Sequence, residues 1–211
     1  MVNSQLSNVF AQIAILVPAF MVSVSFHEFS HAFVAYLLGD STAKRAGRMT
    51  LNPFAHIDPY GLLMIILIRV GWAKPVPIDQ RNFKHPRFYS ILTGFAGPVS
   101  NFLLATATLL GIKYFPQELF TPALTKSFLQ MLDATAYINV MLGVFNLLPI
   151  PPLDGSHAVV ALLSKRYPQV VWWLYRYSFF ILIFILMIPQ TRILLFGLIM
   201  GANQFLRSLI F

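Results

Sequence analysis

Hydrophobic runs close to membrane-spanning length recur along the whole chain, and this limits the fold more than any other feature. Inside a bilayer every backbone polar group must find a partner within the protein, so a chain with several such runs folds as packed helices. The spans expected are about Val9–Leu38, Phe88–Ile112, Phe128–Leu148, Val170–Ile188 and Ile193–Phe211. Only 10% of the 211 residues are charged and 57% are hydrophobic, whereas soluble domains carry roughly a quarter charged residues. The expected fold is an all-α membrane protein, a polytopic helical bundle of about five to six hydrophobic segments in the cell membrane. One transmembrane domain covers 1–211, with a core over about 8–166 and a C-terminal helical pair over about 170–211. The opening "MVNSQLSN" has no Lys or Arg, unlike the basic start of a signal peptide, so the first run is expected to be retained.

Between the first and second main spans lies a segment that fits neither a span nor an ordinary loop. "HIDPYGLLMIILIRVG" begins with Asp58 placed as an N-cap and Pro59 at the first helical position. Its apolar core, Leu62–Val70, is too short to cross a bilayer. The "WAKPVPI" that follows has Pro75 and Pro77, which favour extended backbone. The pair reads as a short re-entrant and extended element, tolerated at membrane depth only where protein or a wet cavity covers it. Charge supports that reading. If Ile57–Ile78 returns to its starting side, the basic residues between Lys44 and Arg87 share one side. Lys165, Arg166, Arg176 and Arg207 then join them, so twelve of the fifteen basic residues agree. By the positive-inside rule that side is the cytoplasm, and the N-terminus lies outside. The formal net charge of +8 is spread between apolar segments rather than gathered into a patch, so no nucleic-acid partner is expected.

The chain has no cysteine, which excludes disulfides and thiolate metal sites and leaves His, Asp and Glu as ligands. Within the first span stands "HEFSH" (27–31). One helical turn separates His27 from His31, so both rings share a face and can hold one zinc ion, with Glu28 beside it to take a proton from water. Ionisable groups inside a membrane are presumed functional. A catalytic zinc wants a third protein ligand, and the candidates lie where the third span ends, in "NVMLGVFNLLPIPPLDGSH" (139–157). Asp154 can turn inward or merely cap the short helix expected over 154–163, and His157 is its rival. His56 and Asp58 read as a loop histidine and a cap rather than a second metal site.

Three stretches in this order, "HEFSH" (27–31), "FAGPVSNF" (95–102) and "NLLPIPPLDG" (146–155), resemble the site-2 protease family of intramembrane zinc metalloproteases, in its small bacterial-type form without PDZ or CBS domains. The resemblance covers about residues 8–166. It implies one Zn2+ per chain held by His27, His31 and Asp154, with Glu28 as general base. It further implies that Asn146 donates to the substrate carbonyl or its oxyanion and that Asn101 supports the site. The implied function is hydrolysis of peptide bonds within or next to transmembrane segments, near the cytoplasmic side. The partners are then a membrane-protein substrate with a transmembrane helix and the lipid bilayer. Lys74, Pro75, Val76 and Pro77 form an extended edge on which an unwound substrate can pair. The alternative readings are a zinc-binding transporter, which would string ligands along a path, and a catalytically silent scaffold, which has no need of Glu28.

Overall fold

The computed structural model describes residues 2–68 and 72–211. The helices are α1 (Val2–Leu37), α2 (Thr42–Arg45), α3 (Pro59–Ile68), α4 (Pro86–Lys113), α5 (Pro122–Asn146), α6 (Ser156–Leu163), α7 (Pro168–Met187) and α8 (Pro189–Ile210). Among the described residues five helical segments are long and apolar enough to cross a membrane: Phe10–Leu37, α4, α5, α7 and α8. The chain is a multi-pass, all-α membrane protein.

α1, α4 and α5 form the centre, each packed on the other two. Small residues are almost fully buried on all three, among them Ala19, Ala35, Ala105 and Ala136, while Ala32 of α1 packs against Ala43 and Val76. Small side chains let helix axes approach closely where lipid supplies no hydrophobic drive for association. The close approach brings the buried polar groups of all three helices to one level, and the site is made there.

α1 is followed by Gly39, whose φ of 107° opens a turn that a side chain would resist. The turn places the fully buried Asp40 as a tie for distant chain. Its carboxylate accepts from Thr42 N–H and Oγ1, from Asn82 Nδ2 and from Asp79 N–H. Burial pushes the Asp40 carboxyl up, but these donors outweigh it and hold the group below its ordinary value.

The segment after the first span turns back as expected. Asp58 caps α3 through Tyr60 N–H and Gly61 N–H, and α3 has only ten residues. Ile57 then pairs with Ala73 in an isolated antiparallel bridge, and Lys74 N–H donates to His56 C=O. The chain therefore leaves and re-enters at the same place. Residues 69–71, Arg69 of the charge argument among them, lie outside the described residues.

The C-terminal pair departs from expectation. Arg207 was expected with the basic loops on the side of the site. Instead it pairs with Asp133 of α5, Lys113 at the end of α4 donates to Ile210 C=O, and Ile210 packs with Leu109 and Ala136. These neighbours lie toward the opposite end of the bundle. α6 starts at the site end, whereas α8 finishes toward the other. α8 buries Leu195, Ile199, Asn203 and Ile210, while α7 has no buried residue.

Candidate metal centre

The site is assembled from the C-terminal half of α1, the N-terminal half of α4 and the turn after α5. His27, Glu28 and His31 project from α1 and are all buried. Pro149, Pro151 and Pro152 end α5 and carry the chain around to Asp154. Gly155 allows the turn to close: a Cβ there would stand 2.2 Å from Leu147 C=O. Asp154 does not cap α6, whose N-cap is Gly155 with no side-chain bond. Its carboxylate points instead to the histidines, with Oδ2 at 3.1 Å from His27 Nε2 and Oδ1 at 3.3 Å from His31 Nε2.

The far side of each imidazole decides which nitrogen carries the proton. His27 Nδ1 donates to Asn101 Oδ1 at 2.6 Å, and His31 Nδ1 donates to Thr93 C=O at 2.7 Å. With the protons at Nδ1, both Nε2 atoms present lone pairs, and they face each other at 3.0 Å. Asp154 Oδ2 is buried with no hydrogen-bond donor. Three electron-rich atoms converging without a proton between them repel unless a cation joins them. Their spacing suits one: tetrahedral ligands at about 2.0–2.1 Å from zinc stand about 3.3 Å apart. The donor set, two imidazoles and a carboxylate, is of the kind that zinc accepts in catalytic sites. Among the described residues these three form the one group of His, Asp or Glu able to hold a metal.

Gly97 of α4 makes the space. A Cβ at this position would stand 2.4 Å from His31 Nε2 and 2.5 Å from His27 Cε1. The glycine of "FAGPVSNF" is thus set by the two rings. Gly94, one turn earlier, accommodates His157, whose ring lies against it. His157 does not belong to the converging group, so the rival third ligand is set aside by position.

A cleft of about 280 Å³ opens on the group, and Glu28, Asn146, Pro75, Val76, Ile78 and His157 are among its lining. Glu28 Oε2 accepts from Val76 N–H at 2.8 Å, tying the extended stretch directly to the acid. Of the expected edge, Pro75 and Val76 reach the cleft. Lys74 and Pro77 are not in its lining; the Lys74 backbone is held by His56 and Arg48 instead. Asn146 lines the cleft with its Nδ2 donating to Leu142 C=O of its own helix. A larger hollow of about 810 Å³ lies away from this chemistry, between Leu16, Ile112, Asp133 and Tyr137.

Comparison with known proteins agrees with this chemistry. The chain is 42% identical over 147 residues to a protein of Bacillus subtilis named as a zinc metalloprotease, YwhC, covering 68% of this chain and 67% of that one. It is 30% identical over 190 residues to one of Mycolicibacterium smegmatis named as a zinc metalloprotease, Rip2, covering 88% and 71%. The family model of peptidase family M50 matches residues 117–186. The chain belongs to peptidase family M50. It is a metalloprotease, and its M50 match begins ahead of α5, takes in Asn146 and Asp154 and runs on into α7. A protein of Methanocaldococcus jannaschii named as a zinc metalloprotease is 27% identical over 154 residues, covering 73% of this chain and 36% of that one. No solved structure matches the chain.

Several residues that build the site escaped the sequence reading. Ser23 and Asn139 are fully buried at its level, and Thr93 contributes to it. Asn139 could have been found: a polar amide inside an apolar span is a functional signal in itself. Thr93 acts through its backbone carbonyl, which carries no sequence signal.

Proposed function

We propose that this M50 metalloprotease is an intramembrane zinc endopeptidase holding one Zn2+ per chain on His27, His31 and Asp154. The reading rests above all on the paired imidazoles, whose Nε2 lone pairs meet Asp154 at 3.1 and 3.3 Å inside the apolar helix α1. Zinc held there supplies Lewis-acid polarisation of a carbonyl and lowers the pKa of water to near 7. Glu28 adjoins the group and takes the proton of the attacking water. With Val76 N–H on Oε2, Oε1 is the oxygen free to receive it. Asn146 lines the cleft, and on leaving Leu142 C=O its Nδ2 donates to the developing oxyanion. Asn101 supports His27 from behind.

The substrate is a transmembrane segment of another membrane protein, unwound along Pro75 and Val76. Pro75 has no N–H and that of Val76 is taken by Glu28, so this edge offers carbonyl acceptors to the backbone N–H groups of the substrate. The site sits toward the cytoplasmic end, where the basic loops gather, which shortens the path of water, and the N-terminus lies outside. The whole chain works as one transmembrane domain. Purified protein reconstituted in vesicles with a model transmembrane substrate tests the proposal, with cut positions read by mass spectrometry. Chelator-sensitive cuts within or next to the membrane segment are expected. Cuts confined to distant soluble tails would overturn the intramembrane reading.

A further inference from the structure

Behind Asn101 a chain of hydrogen bonds continues through all three central helices. Asn101 Nδ2 donates to Asn139 Oδ1 of α5 at 2.7 Å. Asn139 Nδ2 donates to Ser23 Oγ of α1 at 2.7 Å and to Thr135 C=O at 2.8 Å. Ser23 Oγ donates to Ala19 C=O at 2.7 Å. Ser23, Asn101 and Asn139 are fully buried, so these groups have only one another and the helix carbonyls as partners.

The relay has a direction. The Ser23 hydroxyl proton is committed to a helix carbonyl, so its oxygen accepts, and the NH2 of Asn139 must face it. That turns the Asn139 carbonyl toward Asn101, so the NH2 of Asn101 faces Asn139 and its carbonyl faces His27. A carbonyl there demands a proton on His27 Nδ1, and the lone pair of Nε2 is left for the metal. Asn101 Nδ2 also donates to Ser23 C=O over a longer 3.3 Å, so Asn139 supplies the shorter of its two acceptors; reversing Asn101 would present a donor to Nδ1 and drive the imidazole proton to Nε2, into the metal position.

We propose that Asn139, oriented by Ser23, is a positioning residue that fixes the tautomer of His27 and thereby the metal affinity of the site. The inference rests on the zinc reading above for its consequence but not for its first step, since the tautomer exists without metal. His31 provides an internal control, because its Nδ1 is held by the Thr93 backbone and not by the relay.

The test uses full-length protein labelled with 15N-histidine, compared as wild type, Asn139→Leu and Asn139→Asp. Nitrogen shifts of the metal-free protein report each tautomer, and competition with a chelator reports zinc affinity. Asn139→Leu is expected to shift His27 toward the Nε2–H form while leaving His31 unchanged, and to weaken zinc about 10-fold or more. Asn139→Asp still offers an oxygen to Asn101 and is expected to retain the His27 Nδ1–H tautomer. Unchanged His27 shifts in Asn139→Leu would overturn the proposal. So would equal displacement of His27 and His31, which marks general loosening of the bundle. A wild-type protein with the relay tautomer but no zinc affinity would refute the zinc reading and leave the relay standing.

Discussion

Gly97→Ala adds a single methyl group at the point where the structure leaves least room for one. Its Cβ would lie 2.4 Å from His31 Nε2, 2.5 Å from His27 Cε1 and 2.6 Å from His31 Cε1. Ordinary contact begins near 3.4 Å, so about 1 Å must be found by moving rings, helix or both. Both rings are pinned from behind, by Asn101 and by Thr93 C=O, and cannot simply swing away. Overpacking of this kind costs about 1–3 kcal/mol, and every 1.4 kcal/mol is tenfold in affinity. Zinc affinity should therefore fall by about 5- to 150-fold. Gly111→Ala on the same helix is the control, since its Cβ would meet nothing within 4 Å. It should keep wild-type affinity and gain up to about 1 kcal/mol from helix propensity. Zinc affinity by chelator competition and thermal melting of the metal-free proteins separate the two effects. A Gly97→Ala protein that binds zinc as tightly as Gly111→Ala would refute the packing argument and the placement of the rings.

Asp154→Asn should lose zinc and cleavage, since a neutral amide is a poorer ligand, while melting of the metal-free protein changes little because Asp154 caps no helix; full zinc content would remove it from the ligand set. The chain has no native cysteine, so single cysteines report sidedness cleanly. Cysteines replacing Gln169 and Phe211 should label from opposite sides of the membrane, and labelling from one side would mean that α7 and α8 both cross. The depressed carboxyl of Asp40 contributes stability that is full above its unfolded value near 4 and is lost as pH falls through its lower folded value. Melting followed from pH 7 downward should show that loss in the wild type and not in Asp40→Asn, and parallel curves would refute the tie.

The first half of the site could be read from residues because its geometry is local. His27 and His31 are one helical turn apart, and no tertiary contact is needed to place them on one face. Asp154 is different. An aspartate before Gly155 and a helix has the form of a cap, and only the turn through three prolines shows that its carboxylate points inward. Asn139 and Ser23 went unseen because each was absorbed into a span by the apolar residues around it. The misplaced Arg207 has another cause. Counting sides assumes that every long apolar run crosses, whereas the contacts of Lys113 and Asp133 with α8 set its end away from the site. Turn chemistry at Asp58, Pro75 and Pro77 was legible for the opposite reason: capping and the missing proline N–H act on the nearest backbone.

In the proposed mechanism Glu28 moves the proton while His27, His31 and Asp154 hold the metal. Glu28→Gln separates these roles, since the amide can still accept from Val76 N–H but cannot take a proton from water. Zinc content and cleavage of a model transmembrane segment should be measured on the same purified preparation. One zinc per chain and no detectable cleavage are expected; a zinc-loaded Glu28→Gln protein that cleaves at the wild-type rate would remove Glu28 from the role of base.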